Sequence, residues 1–189
     1  MTDSDEYFEY LSRRSRLGAL YRQHWLYPRL SRRLIGRTLD LGCGIGDMLV
    51  YRSNTVGVDI NPRTVAFCNA RGVEAHLMAE NALPFRSGEF ESVLMDNVLE
   101  HLPEPAPLLA EVRRVLGAKG RLLMGVPGTK GWNSDPAHKV RYNAGSLIEA
   151  GRRHGFDHLE TFHTPLWQSA WLDGNVRQYC IYASFERAD

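Results

Sequence analysis

Short apolar runs alternate with amphipathic stretches along most of the chain, separated by glycine, proline and asparagine. Thr38-Leu39-Asp40-Leu41 enters a glycine loop. Thr55-Val56-Gly57-Val58-Asp59-Ile60, Ser92-Val93-Leu94-Met95-Asp96 and Arg121-Leu122-Leu123-Met124-Gly125-Val126 follow, the last ended by Pro127-Gly128. Apolar residues at successive positions, bounded by polar breakers, predict strands buried on both faces, as in a parallel sheet. Between them, Leu108, Leu109, Val112, Val115 and Leu116 fall at helical spacing after the proline-rich residues 103–107, and Gly117 stops the run. Asn61-Pro62 opens another helix, with Val65, Ala66 and Asn69 expected on one side and Gly72 at its end. Only residues 47–54 separate the glycine loop from the second strand, so the helix there is expected to make about two turns.

Alternating strand and helix predicts an α/β fold with a doubly wound sheet, right-handed crossovers, and ligands at the C-terminal ends of the strands. The last third changes character: Trp132, His138, Tyr142, Trp167 and Trp171 precede a strand-like run at residues 178–185. Leu147 and Ile148 predict one more helix, ending at Gly155. Residues 7–35 are expected to be helical with an interruption at Pro28, leading into the first strand without a linker. The expected organisation is one domain, with residues 1–37 a helical extension of the core at 38–189.

Composition narrows the class. A chain of 189 residues with 43% hydrophobic, 24% charged and 10% aromatic residues is neither disordered nor a disulfide scaffold. No run reaches the length of a membrane span, and the acidic residues 1–10 do not resemble an export signal. Cys43, Cys68 and Cys180 fit neither a disulfide framework nor a paired zinc site, so a reducing cytoplasm is the expected setting. The net charge of +1 conceals a basic segment: residues 10–39 carry eight arginines and no acid. That segment suits a solvated face, a contact for an anionic or lipid-linked substrate, or RNA; no nucleic-acid motif is present.

The most informative segment is Leu39-Asp40-Leu41-Gly42-Cys43-Gly44-Ile45-Gly46-Asp47. Alternate glycines allow a sharp turn and a close approach to a ligand. Asp59 closes the next strand 17 residues beyond Gly42, where a carboxylate can accept both hydroxyls of a ribose. A dinucleotide fingerprint reads G-x-G-x-x-G, whereas Gly42, Gly44 and Gly46 read G-x-G-x-G. Asp40 beside the loop also repels a pyrophosphate and welcomes an ammonium group. These residues therefore favour a nucleoside that carries an amino acid.

With these motifs the sequence resembles the class I S-adenosylmethionine-dependent methyltransferases, specifically the small-molecule group that includes the ubiquinone-biosynthesis type. Residues 39–46 look like that family's first motif and residues 56–60 its second. Leu83-Pro84-Phe85, residues 90–95, Asp96-Asn97-Val98-Leu99-Glu100-His101-Leu102 and Gly120-Arg121-Leu122-Leu123 resemble the segments that follow. The resemblance implies a Rossmann-like, mostly parallel seven-stranded sheet in three α/β/α layers, and S-adenosyl-L-methionine as cofactor. It further implies Asp40 and the loop of Gly42, Cys43, Gly44 and Gly46 at the methionine part, Asp59 at the ribose and Ile60 on the adenine. Asp96 and Asn97 would line the sulfonium end. The family's acid before Leu-Pro-Phe is replaced in strict register by Ala79, with Glu80 or Asn81 as substitutes.

The implied reaction is methyl transfer to a small molecule, with oxygen of a sugar or lipid-linked intermediate favoured. A histidine near neutral pKa is apt where an alcohol must lose its proton. His101, just past the fourth strand, is read either as that base or as a loop histidine. His138 and Tyr142 are read either as acceptor-binding groups or as parts of a packed turn. Asp96-Asn97 lacks the further acids of a magnesium site, so no metal is expected. Cys43 is expected to pack rather than react, and Trp132, Trp167 and Trp171 to line a pocket or fill the core. A noncatalytic partner subunit and a nicotinamide-dependent oxidoreductase remain as alternatives, the latter opposed by the glycine register.

Overall fold

The computed structural model describes residues 16–189. Its strands are β1 (Thr38–Leu41), β2 (Thr55–Asp59), β3 (Ala75–Leu77), β4 (Phe90–Asp96), β5 (Leu116–Pro127), β6 (Phe156–Thr164) and β7 (Cys180–Arg187). They form one sheet in the order β3-β2-β1-β4-β5-β7-β6, parallel except for β7, which runs antiparallel between β5 and β6. The chain winds outward in both directions from the β1–β4 pair, so a crevice opens at the C-terminal ends of those two strands.

Every residue of β1 and β2 is buried, as their unbroken apolar runs predicted. Alternate side chains serve two separate cores. Leu39, Val58, Val93, Leu122 and Phe185 join Leu109 and Val112 of the helix Ala106–Val115 and Leu147 of the helix Ala144–Arg153. On the opposite face Leu94, Leu123 and Tyr182 pack against Leu26, Tyr27, Leu30 and Leu34. The N-terminal segment is thus the cover for one face of the sheet.

Several elements depart from the sequence expectations. The N-terminal helix is not interrupted at Pro28: Arg16–Tyr21, a π-helical turn at Arg22–Leu26 and Tyr27–Ser31 run on continuously and stop before Ile35. Proline lacks an N–H, and the wider turn just before it accommodates the missing hydrogen bond. Residues 7–15 of the expected helix lie outside the described residues. The helix after the glycine loop is only Asp47–Tyr51, shorter than two turns. Pro62–Ala70 buries Thr64 and Cys68, while Ala66 and Asn69 are exposed; Asn69 still reaches β3, its amide donating to the Ala75 carbonyl at 3.0 Å and accepting the Ala75 amide at 3.1 Å. Leu116 opens β5 rather than ending the preceding helix, and β3 had no sequence signal strong enough to register. Trp167 and Trp171 are 70% and 68% exposed, so neither fills the core.

Among the described residues, several arginines of the basic segment are committed within the fold. Arg33 forms a forked pair with Glu160 at 2.9 and 3.1 Å and lies over the Phe162 ring, Arg22 faces Asp47 at 3.7 Å, and Arg37 reaches Glu89 at 3.0 Å. Among the described residues no helix is long and apolar enough to cross a membrane. If residues 26–34 are an integral layer, Leu30→Ala should lower stability by about 3 kcal/mol, the penalty for a cavity in a closed core. A urea titration checks this through a lower midpoint at unchanged slope.

Candidate functional site

The crevice is built from the ends of β1, β2 and β4. Gly42, Gly44 and Gly46 all hold positive φ, at +77°, +52° and +76°. A side chain at Gly46 would stand 2.7 Å from Cys68 Sγ, so the loop lies tight against the helix Pro62–Ala70. Gly42 is exposed at the crevice, whereas Gly44 and Gly46 are buried. Cys43 packs with Leu49, Cys68 and Ala75, and its hydrogen bond with Cys68, reinforced by burial, holds its thiol protonated far above the usual range. It is a packing residue, as expected.

Asp59 accepts the Gly44 amide on Oδ2 at 2.9 Å and the Asn61 amide on Oδ1 at 2.8 Å. The Thr64 hydroxyl and the Ile60 amide act on the same carboxylate. Burial raises the Asp59 pKa, and these amides oppose the rise. Ile60 follows at 64% exposure, an apolar surface open to solvent beside a carboxylate. The Met78 amide donates to the Asp59 carbonyl at 3.1 Å, bringing the exposed turn with Glu80 and Asn81, closed by an Ala79–Ala82 bridge, alongside.

Asp40 is buried near the end of β1, and its carboxyl is pushed up to about 8, first by burial and then by the charges of Asp96 and Asp59. Three carboxyl groups therefore share one end of the sheet. Asp96 is held by the Tyr182 hydroxyl at 2.7 Å and by Asn97 Nδ2 at 3.1 Å, while Asn97 turns the chain at φ +56°. Tyr182 carried no functional signal in the sequence; β7 must insert beside β5 before its hydroxyl meets Asp96.

Beyond Asn97, a short 3-10 turn at Leu99–His101 places Glu100 inward. The Glu100 carbonyl accepts the amides of Lys139 at 2.7 Å and Val140 at 3.0 Å, pinning the loop that carries His138. The His101 and His138 rings stand 4.8 Å apart, and Trp132 stacks on His138 at 6.2 Å between centroids. Tyr142 is half-buried in the same region, its hydroxyl pKa raised by burial and by Glu100 and Glu104. His101 has its pKa lowered by burial and by His138, which favours a neutral ring. Sequence reasoning missed Glu100 altogether. It is fully buried, and burial pushes its carboxyl up to about 8.

A family model described as a methyltransferase domain matches residues 39–124. A probable S-adenosylmethionine-dependent methyltransferase of Mycolicibacterium smegmatis is 31% identical over 185 residues, covering 89% of this chain and 71% of that relative. The chain belongs to the S-adenosylmethionine-dependent methyltransferase family. A ubiquinone biosynthesis O-methyltransferase of Xanthomonas oryzae is 26% identical over 148 residues, covering 72% of this chain and 60% of the relative. In fold, a SAM dependent methyltransferase from Aquifex aeolicus superimposes with a TM-score of 0.73 at 16% identity, over 100% of both chains. The chain spans 44% and 30% of two uncharacterized relatives.

The donor set suits the family's cofactor. A glycine loop open to close approach, a carboxylate at the end of β2, and the gathered acids Asp40, Asp59 and Asp96 together match a nucleoside bearing an ammonium and a sulfonium.

Asp40 supplies a test independent of any ligand. Its pKa lies near 3.8 unfolded and about 8 folded, so between those values the folded state holds a proton that the unfolded chain has lost. Its contribution to stability therefore falls as pH rises from 4 to 8. Wild type should lose on the order of 2 kcal/mol relative to Asp40→Asn across pH 5–8.5, read by urea unfolding at each pH.

Proposed function

We propose that this chain transfers the methyl group of S-adenosylmethionine to a small-molecule acceptor, on an oxygen, in a sugar or lipid-linked compound. The observation that carries the cofactor reading is the convergence of Asp40, Asp59 and Asp96 around the glycine loop. The similarity to an O-methyltransferase of ubiquinone biosynthesis favours oxygen. Residues 38–189 would form the methyltransferase domain, with residues 1–37 as its helical extension.

In this reading Asp40 receives the methionine ammonium, and the amides of residues 42–46 line the methionine chain. Asp59 takes the ribose hydroxyls, and Ile60 offers its exposed side chain to the adenine, with Glu80 or Asn81 at its edge. Asp96, oriented by Tyr182, and Asn97 face the sulfonium. The bound cofactor supplies a methyl on a positively charged sulfur, which leaves as a neutral thioether. What the protein contributes is alignment, worth roughly 7–11 kcal/mol when reacting atoms are held in line, and removal of the acceptor proton. His101, neutral and half-buried, suits that second task, while His138 and Tyr142 line the acceptor side. The remaining arginines of the N-terminal segment offer an anionic acceptor a second contact.

Calorimetry with S-adenosylmethionine, S-adenosylhomocysteine and NADH tests the cofactor. The first two should bind and NADH should not. Asp59→Ala should weaken both by about 50-fold, the consequence of leaving ribose hydroxyls and two amides unpaired; unchanged affinity would remove Asp59 from the site. His101→Ala should lower turnover by about 100-fold at near-normal cofactor affinity, measured with an accepting sugar or lipid precursor. An unaltered rate would make His101 structural.

A further inference from the structure

Glu100 poses a problem that the methyl-transfer reading leaves unsolved. Its side chain is 0% exposed, and neither carboxylate oxygen has a hydrogen-bond partner. An unpaired buried carboxyl group is driven toward its neutral form unless a cation faces it, and the charges of Asp96 and Asp135 push the same way. Two imidazoles stand beside it. His138 Nε2 stands 3.7 Å from Glu100 Oε1, too far for a hydrogen bond, and His101 completes a trio whose ligand atoms all lie within 4.8 Å of one another.

His138 is oriented by its other nitrogen. Nδ1 lies 2.8 Å from the Trp132 carbonyl, an acceptor only, so Nδ1 carries the hydrogen. In the neutral ring that leaves the Nε2 lone pair directed at the Glu100 carboxyl group, at 3.7 Å too far to accept a hydrogen bond even from its protonated form. A backbone carbonyl fixing one imidazole nitrogen while the other points at a carboxylate is the arrangement that surrounds metal-ligating histidines. Asp135 Oδ2, 4.0 Å from the same Nε2, adds negative charge at the rim.

We propose that Glu100, His101 and His138 bind a divalent cation of the zinc or manganese kind. Two imidazoles and one carboxylate suit such ions better than magnesium, which prefers oxygen. Bonds of about 2.05 Å require ligand atoms roughly 3.3 Å apart, so the trio must contract by up to about 1.5 Å, within reach of side-chain rotation. Three protein ligands leave coordination positions open, and the ligand class that fits them is a hydroxyl or carbonyl oxygen. Cation binding stands independently of the cofactor reading but replaces the base role of His101, whose lone pair would then sit on the ion; assigning the open positions to the acceptor oxygen rests on the methyl-transfer reading. The sequence contained the Glu100-His101 pair, but the third ligand lies 37 residues further on and reaches it only because the Glu100 carbonyl pins residues 139 and 140.

Calorimetric titration of the chelator-treated full chain with Zn²⁺, Mn²⁺ and Mg²⁺ tests the proposal without any turnover assay. One equivalent of Zn²⁺ or Mn²⁺ should bind with micromolar or tighter affinity and Mg²⁺ at least tenfold more weakly. His138→Ala and Glu100→Gln should each weaken Zn²⁺ at least 30-fold. Circular dichroism melts establish that the variants fold; if Glu100→Gln does not, His138→Ala and His101→Ala carry the comparison. Wild type that binds neither Zn²⁺ nor Mn²⁺, or variants that bind as wild type does, would overturn the site. S-adenosylhomocysteine titrated into the same samples separates the outcomes, since its binding should persist even if the metal site fails.

Discussion

The Asp59 carboxylate holds the crevice together. One oxygen takes the amide of Gly44 at the bend of the glycine loop, and the other takes the amide of Asn61, whose own side chain caps the helix Pro62–Ala70 by accepting from Arg63 at 2.9 Å. A single side chain thus ties the loop after β1 to the helix after β2. The loop can meet that carboxylate only with its glycines at positive φ and with no Cβ at Gly57, which would fall 2.6 Å from Cys43 Sγ. Sequence constraints that look independent, the alternate glycines and the small residue in β2, are consequences of one close approach.

A concentration of acid follows from the topology. Parallel strands bring their C-terminal ends to one edge, and β1, β2 and β4 deliver Asp40, Asp59 and Asp96 there, with Glu100 a turn further on. Burial and mutual repulsion push Asp40 and Glu100 toward their neutral forms. A ligand or ion that is positive where these groups cluster relieves both effects at once, so the cost of gathering the acids is what makes the crevice selective.

The opposite demand, for apolar cover, explains both ends of the chain. Leu94, Leu123 and Tyr182 need a partner layer that the helices between strands do not supply, and Leu26, Tyr27, Leu30 and Leu34 provide it. Tyr182 belongs to both systems: its ring lies in this core while its hydroxyl orients Asp96. Among the described residues, arginines of the N-terminal segment serve contacts of this cover, as Arg33 does with Glu160 and Phe162.

The sequence by itself determined the α/β class, the four principal strands, the two longest helices within the sheet's windings and the acid-glycine loop. These are encoded locally, in apolar runs, proline and glycine boundaries, and a motif whose spacing reflects backbone geometry. It could not determine that the N-terminal helix passes through Pro28, that Thr64 and Cys68 rather than Ala66 are buried against the sheet, or that β3 pairs at all, because each depends on the surface that the element meets. Nor could it see Tyr182 against Asp96, 86 residues apart, or Glu100 buried beneath His138. Pairings across such distances carry no local signal. They exist only once the insertion of β7 and the pinned loop after β5 have closed the space between them.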